Sequence, residues 1–203
     1  MGIIIAVLLV LTSKAEARFF DKWGFRVGSG QAIGDNISGN IRESDVRSGL
    51  FGLSGAFELE PDYNLWIEFR GELRYTTWRI FDIDFPGRTY TYEFAPGVSF
   101  LYSLPVPIKP KFSLSYRIGI EHNYHSPFSD MLVNDVGTWQ RSSWSWVVGG
   151  EIVVPMGVPE LVFSIRYNED MTDNVEHFPQ FTPEGSRFSE VHYMVGMNFD
   201  LRK

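Results

Sequence analysis

The 203-residue chain has no cysteine, which rules out a disulfide framework and a thiolate metal site. Basic charge is not in excess either. With 18 Lys and Arg against 25 Asp and Glu, and a formal net charge of -7, there is no basic patch for a nucleic-acid partner. A long apolar run is also missing: Ile3 to Leu11 falls well short of the roughly 20 residues that a membrane-spanning helix requires. That run is followed by Thr12-Ser13-Lys14 and the small-x-small triplet Ala15-Glu16-Ala17, the pattern of a secretory signal peptide, although no positive charge precedes it. The expected division is a signal peptide over 1–17 and one β domain over 18–203.

Aromatic residues are plentiful, with 17 Phe, 9 Tyr and 6 Trp, rings that suit strands and bilayer interfaces. They recur with period two. Between Leu65 and Thr77 one set reads Leu65, Ile67, Phe69, Gly71, Leu73, Tyr75, and the other reads Trp66, Glu68, Arg70, Glu72, Arg74, Thr76. Successive side chains of a strand point to opposite faces, so one face is oily and the other alternates carboxylate and guanidinium. A strand of this length exceeds the usual five or six residues and matches the roughly nine to eleven of a tilted strand crossing a bilayer.

Seven further segments share the pattern. Trp23, Phe25 and Val27 alternate with Gly24, Arg26 and Gly28; Phe51, Leu53, Phe57 and Leu59 with Gly52, Ser54, Ala56 and Glu58. Tyr90 to Tyr102 contains Pro96, where a local bulge is expected because proline has no N–H for a ladder. Phe112 to Glu121, Trp144 to Val154, Leu161 to Asn168 and Glu190 to Phe199 complete eight strands. The connections alternate in length: 34–48, 79–88, 125–141 and 169–187 read as long polar loops, whereas 60–64, 103–110 and 155–159 are short and rich in Pro or Gly. In an up-and-down barrel every second connection lies at the same end, so the long loops share one rim. The predicted fold is all-β, an eight-stranded antiparallel up-and-down transmembrane β-barrel in a bacterial outer membrane, with the long loops outside.

A soluble carrier barrel would place the apolar set inside instead. Three features favour the membrane. Tyr75, Tyr90, Tyr92, Tyr124, Trp144, Trp146, Tyr167 and Tyr193 all fall on the apolar phase toward the long-loop end, as a headgroup belt requires. The other phase is rich in small residues, Gly28, Gly30, Ser54, Ala56, Ala95, Gly97, Gly119, Gly149 and Gly196, which fit a tight lumen. No Gly-x-Trp opening of the lipocalin type is present.

The candidate interior charges are Arg26, Glu58, Glu68, Arg70, Glu72, Arg74, Glu93, Arg117, Glu121, Glu151, Arg166 and Glu190. They read either as an ion path or as a mutually neutralising plug. The plug is the expected outcome, because eight strands enclose a space only wide enough for side chains. The histidines are His122, His125, His177 and His192. His192 falls on the lumen phase near Glu190 as a core hydrogen-bond partner, His122 falls on the lipid phase as a belt residue, and His125 with Ser126 belongs to a loop. The loop acids Asp82 and Asp84, or Asp170 and Asp173, lack the spacing of a cation cage, so no metal site and no cofactor is expected.

The Gly-rich opening strand Phe25-Arg26-Val27-Gly28-Ser29-Gly30, the segment Tyr92-Glu93-Phe94-Ala95-Pro96-Gly97 and Arg166-Tyr167 resemble the outer-membrane lipid A deacylases, the acyloxyacyl hydrolase family. The resemblance implies the same barrel, contact with lipopolysaccharide and hydrolysis by a His-x-Ser-Asn element on the lipid face just after Tyr167. This chain has Asn168-Glu169-Asp170-Met171 there, without the imidazole or the hydroxyl that acyl transfer needs. The expected role is therefore non-enzymatic, structural or surface-interacting, through four long extracellular loops whose ligand the sequence does not encode. An outer-leaflet acyl hydrolase with His122 as base and a narrow channel are the alternatives. Expected partners are outer-membrane lipid, lipopolysaccharide and the barrel-assembly machinery. That machinery usually reads a terminal aromatic residue, whereas here Phe199 is followed by Asp200-Leu201-Arg202-Lys203.

Overall fold

The computed structural model describes residues 20–33, 47–80, 87–106, 112–125, 142–172 and 189–202, with the side chains of 78–80, 87–91 and 125 left aside. Eight strands, β1 (Lys22–Ala32), β2 (Arg47–Glu60), β3 (Leu65–Ile80), β4 (Gly87–Val106), β5 (Phe112–His125), β6 (Ser142–Pro155), β7 (Glu160–Asp170) and β8 (Ser189–Asp200), form a closed antiparallel barrel in chain order. β8 returns to β1 along a ladder from Lys22↔Asp200 to Ala32↔Glu190, so the sheet has no edge along the barrel wall.

The pairings fix the strand tilt. Starting at Lys22 and passing through Ala56, Glu68, Ser99, Gly119, Val147, Asn168 and Glu190, one circuit returns to β1 at Ala32, ten residues further along. With a rise of about 3.3 Å per residue and strands about 4.8 Å apart, that stagger corresponds to a tilt of about 40°. Tyr102 and Tyr92, ten residues apart on the outward phase of β4, are then separated by about 25 Å along the barrel axis, the height of a lipid-facing apolar band.

The period-two pattern decides which side faces in. Arg70, Glu72, Arg74, Glu121 and Arg166 are buried, while the alternate residues Leu73 (59 %), Ile118 (62 %), Phe100 (50 %) and Ile165 (50 %) are exposed. A continuous apolar wall is far larger than the patches that monomers expose to water. The barrel is thus inverted relative to a soluble carrier, and the medium for its outer wall is hydrocarbon.

Several boundaries differ from the sequence-based expectation. Pro96 makes no bulge. It pairs with Gly71 on β3, and toward β5 the ladder has no rung at Ala95 or Pro96 but resumes at Gly97↔Glu121 in the register set by Phe94↔Tyr124. Proline removes a donor without adding a residue, so a rung is lost and the register is kept. The irregularity lies instead in β2, where Glu58↔Trp66 is followed by Glu60↔Leu65 and Leu59 is the extra residue. The expected loop 79–88 is narrowed by two rungs, Arg79↔Arg88 and Ile80↔Gly87, so the β3–β4 hairpin reaches past the Arg47↔Thr77 end of the β2 ladder. At the opposite rim, Pro61–Tyr63 forms one 3-10 turn closed by Asn64 at φ 50, a left-handed conformation that asparagine tolerates. Its carbonyl accepts the Ser103 N–H at 3.1 Å, tying the turn to β4.

Candidate functional site

From Glu68 to Arg74, β3 places one charged side chain into the lumen every second residue, and β4, β5 and β7 answer with the opposite sign across the lumen. Arg74 is central to the loop-end half. It contacts Glu93 at 2.6 Å, Glu121 at 2.5 Å and Glu72 at 3.2 Å. Glu72 is shared with Arg166 at 2.6 Å, and Arg70 meets Glu121 at 2.9 Å. Below this cluster Arg117 bridges Glu151 at 2.6 Å and Glu68 at 2.9 Å, and Arg26 lies 3.7 Å from Glu151 while donating to Asn198 at 2.9 Å. Five arginines and five glutamates thus neutralise one another inside a wall that excludes water, where an unpaired charge is most costly. They meet end-on through the terminal guanidinium nitrogens, because the Nε of all five lies outside any hydrogen bond.

Small residues make room for the cluster. A Cβ at Gly97 would lie 3.0 Å from the Glu121 Cβ and 3.3 Å from an Arg70 nitrogen, so glycine there admits the Arg70–Glu121 pair. The free space among Arg26, Glu68, Arg70, Glu72, Arg117, Glu151 and Arg166 is about 10 Å³, room for about one water. Toward the loop rim a polar chain continues the packing. Asn168 donates to Glu121, Asn123 donates to Ser145 at 2.6 Å, and Ser145 donates to Asp170 at 2.5 Å. His192 is fully buried between Arg166 (3.3 Å to Nδ1) and Glu190 (2.6 Å to Nε2). Since arginine can only donate, Nδ1 accepts and Nε2 carries the proton given to Glu190, so a neutral imidazole satisfies both contacts.

The turn-end half of the lumen is open. A cavity of about 300 Å³ is lined by Ser54, Ala56, Trp66, Ser103, Ser113 and Ser115, with Lys22, Glu58, Glu160, Asp200 and Arg202 around its mouth. Of the two tryptophans that line it, Trp23 and Trp66, the buried Trp66 has the Lys22 ammonium 4.6 Å and the Arg202 guanidinium 4.8 Å from its ring centre. Arg202 also pairs with Glu58 and with Asp200, and Lys22 pairs with Glu160 at 3.4 Å. Glu58, grouped by phase with the lumen charges, therefore belongs to this rim. Partial burial opposes ionisation of the Asp200 carboxyl, but hydrogen bonds from the Arg202 side chain and backbone outweigh it and hold the carboxyl below its ordinary range.

On the outer wall, Tyr75 and Tyr92 are 5.3 Å apart, Trp146 and Tyr167 are 5.4 Å apart, and His122 lies 4.3 Å from Tyr124 and 4.5 Å from Trp144. Tyr193 stands outward on β8, and the Tyr90 side chain lies outside the described residues. With the ten-residue stagger, Tyr75, Tyr92, Tyr124 and Trp144 share one height, whereas Trp146, Tyr167 and Tyr193 sit roughly 6–10 Å lower. A second aromatic group at the turn end was not singled out from the sequence. Trp23 stacks on Phe199 at 4.3 Å, Phe20 meets Phe57 at 4.9 Å, and Tyr102 and Tyr116 face outward nearby. Trp23, Phe57, Tyr102, Tyr116 and Phe199 lie on the apolar phase of their strands, so their signal was present, whereas Phe20 precedes β1.

Asn168 and Asp170, where the resemblance to the deacylases would set a histidine and a serine, both point into the lumen. Asp170 is a strand residue and not a loop acid, and Asp82, Asp84, Asp173 and His177 lie outside the described residues. Among the described residues no group of three His, Asp or Glu is arranged to hold a metal ion.

No protein-family model matches the sequence, and no characterised protein matches it by sequence. Solved structures do match. The outer membrane protein OprG from Pseudomonas aeruginosa superposes with a TM-score of 0.55 at 11 % identity, over 89 % of this chain and 95 % of that one. The attachment invasion locus protein Ail of Yersinia pestis, solved with the heparin analogue sucrose octasulfate, gives 0.47 at 14 % identity over 89 % and 99 %. The outer membrane enzyme PagL gives 0.44 at 14 % identity over 88 % and 98 %. The similarity to OprG is one of fold, the closed eight-stranded barrel.

Proposed function

We propose that this chain is a bacterial outer-membrane barrel with a non-enzymatic structural or surface-interaction role, carried by the four connections at the long-loop rim. The observation behind this reading is the combination of a lipid-facing wall with a lumen closed across its middle by neutralising ion pairs, which leaves the loop rim as the outward surface available to partners. Residues 1–17 act as an export signal, and 18–203 form the barrel, inserted by the envelope's assembly machinery. Outer-membrane lipid and lipopolysaccharide pack against Tyr75, Tyr92, Tyr124 and Trp144, with Trp146, Tyr167 and Tyr193 below them. Arg26, Glu68, Arg70, Glu72, Arg74, Glu93, Arg117, Glu121, Glu151 and Arg166 serve as the structural plug. The inward direction of Asn168 and Asp170 leaves the deacylase reading without its reacting groups on the lipid face.

The test is expression in a Gram-negative host, with the chain followed as a heat-modifiable band in the outer-membrane fraction and lipid A weighed by mass spectrometry. Unaltered lipid A beside a folded barrel is expected. Loss of one acyl chain would make it a hydrolase. In planar bilayers the plug predicts no steady conductance, and a voltage-independent open level would overturn it.

A further inference from the structure

Among the described side chains on the outward phase of the eight strands, only four are Asp, Glu, His, Lys or Arg: Glu60 at the turn-end tip of β2, Arg47 at its loop-end tip, His122 on β5 and Glu169 on β7. The latter two flank β6. His122 pairs with Trp144 and Glu169 with Trp146, so two tryptophans two residues apart stand between imidazole and carboxylate. The stagger puts His122 and Glu169 at nearly the same height, with Cα atoms about 11 Å apart across the strand. Both stand just below the ring formed by Tyr124 and Trp144.

The surroundings of Glu169 are aromatic. The Tyr167 hydroxyl donates to it at 3.4 Å, and the Tyr167 ring packs edge-on against Trp146 at 5.4 Å. The His122 ring is held by Tyr124 and Trp144. An ionisable group on a lipid-facing wall gives up part of its hydration and marks a functional contact. Among the described side chains, no Lys or Arg faces outward on β5, β6, β7 or β8; Arg47 is three strands away around the wall. A carboxylate beside half-exposed aromatic faces such as those of Trp146 and Tyr167 is the arrangement that recognises an ammonium group.

We infer that the β5–β7 wall binds a membrane lipid whose headgroup carries a primary ammonium next to a phosphate, with Glu169 and the Trp146 and Tyr167 rings taking the ammonium and His122 reaching the phosphate. The site rests on the proposed membrane setting, in which this part of the wall lies at headgroup height.

The experiment uses the full mature barrel, refolded and checked for heat-modifiable mobility, in non-ionic detergent with equimolar phosphatidylethanolamine and phosphatidylglycerol of matched chains. Bound lipid is counted by native mass spectrometry. Phosphatidylethanolamine adducts should outnumber phosphatidylglycerol adducts about fivefold, the ratio given by a contact of about 1 kcal/mol. Glu169→Gln should bring the ratio near one, and Glu169→Lys should reverse it. His122→Ala should reduce both adducts while leaving their ratio. A wild-type ratio near one, or a ratio unchanged in Glu169→Gln, overturns the site while the folded barrel still stands. A chain that never inserts into vesicles overturns the membrane setting and the site with it.

Discussion

The two halves of the lumen share one wall and one set of strands, yet one is filled and the other open. Around Arg26, Arg70, Arg117 and Arg166 about 10 Å³ remains, whereas the turn-end half holds about 300 Å³. Strand number and stagger are common to both, so the difference comes from side-chain length. Arginine and glutamate reach the axis at the loop end, but Ser54, Ala56, Ser103, Ser113 and Ser115 do not at the turn end. Eight strands make a plug possible, and the choice of inward residues decides where it lies.

The contrast should be visible in stability. Glu72→Leu takes the shared acceptor from Arg74 and Arg166 and a carboxylate 3.7 Å from Arg70, leaving the buried cluster with an excess positive charge centred on Arg166, at a cost of about 3–5 kcal/mol in urea unfolding from lipid vesicles. On the outer wall, Ile118→Arg near mid-depth should cost about 2–4 kcal/mol, while Leu73→Arg, two residues below Tyr75, should cost less because the cost falls toward the interface. Equal losses at the two positions would break the assignment of height. Gly97→Val, with the Glu121 and Ile120 atoms 3.0 Å from its Cβ, should lose about 1–3 kcal/mol, whereas Ser113→Val in the open half should change stability by less than about 1 kcal/mol. Glu58→Gln, at the mouth, should cost under about 1 kcal/mol, as partly exposed pairs do. A loss there matching Glu72→Leu would erase the contrast.

The smallest effect is in pH. The Asp200 carboxyl is held below its ordinary range, so its contribution is present above the usual carboxylate pKa and is lost as pH falls through the lowered value. The difference between the wild type and Asp200→Asn should be greatest near neutral pH and vanish in acid. A difference that grows in acid would contradict the Arg202 contacts.

Much of the barrel was legible because period two is a local property. β3 alone declares its inner and outer faces, and the alternation of connection lengths orders the strands around the wall. What eluded the sequence depends on several strands at once. The height of Tyr193 relative to Tyr75 follows from the ten-residue stagger, which no single strand records. The cavity follows from serines on β4 and β5 standing opposite alanine and serine on β2, and the role of Trp66 from Lys22 and Arg202 arriving from β1 and the end of β8. Pro96 was misjudged because a missing donor can be met by dropping a rung as well as by adding a residue.

The alternating signs on β3 have a consequence for assembly. Sliding a strand by one residue turns its oily face inward and is rejected by the bilayer, but sliding it by two keeps both faces correct. Only the charges notice. A two-residue slip of β3 would set a carboxylate against Glu121 where Arg70 now stands, and a guanidinium against Arg166 where Glu72 now stands. The sequence Glu68-x-Arg70-x-Glu72-x-Arg74 therefore acts as a checksum, converting a two-residue slip, which hydrophobicity cannot detect, into repulsion from Glu68 to Arg74.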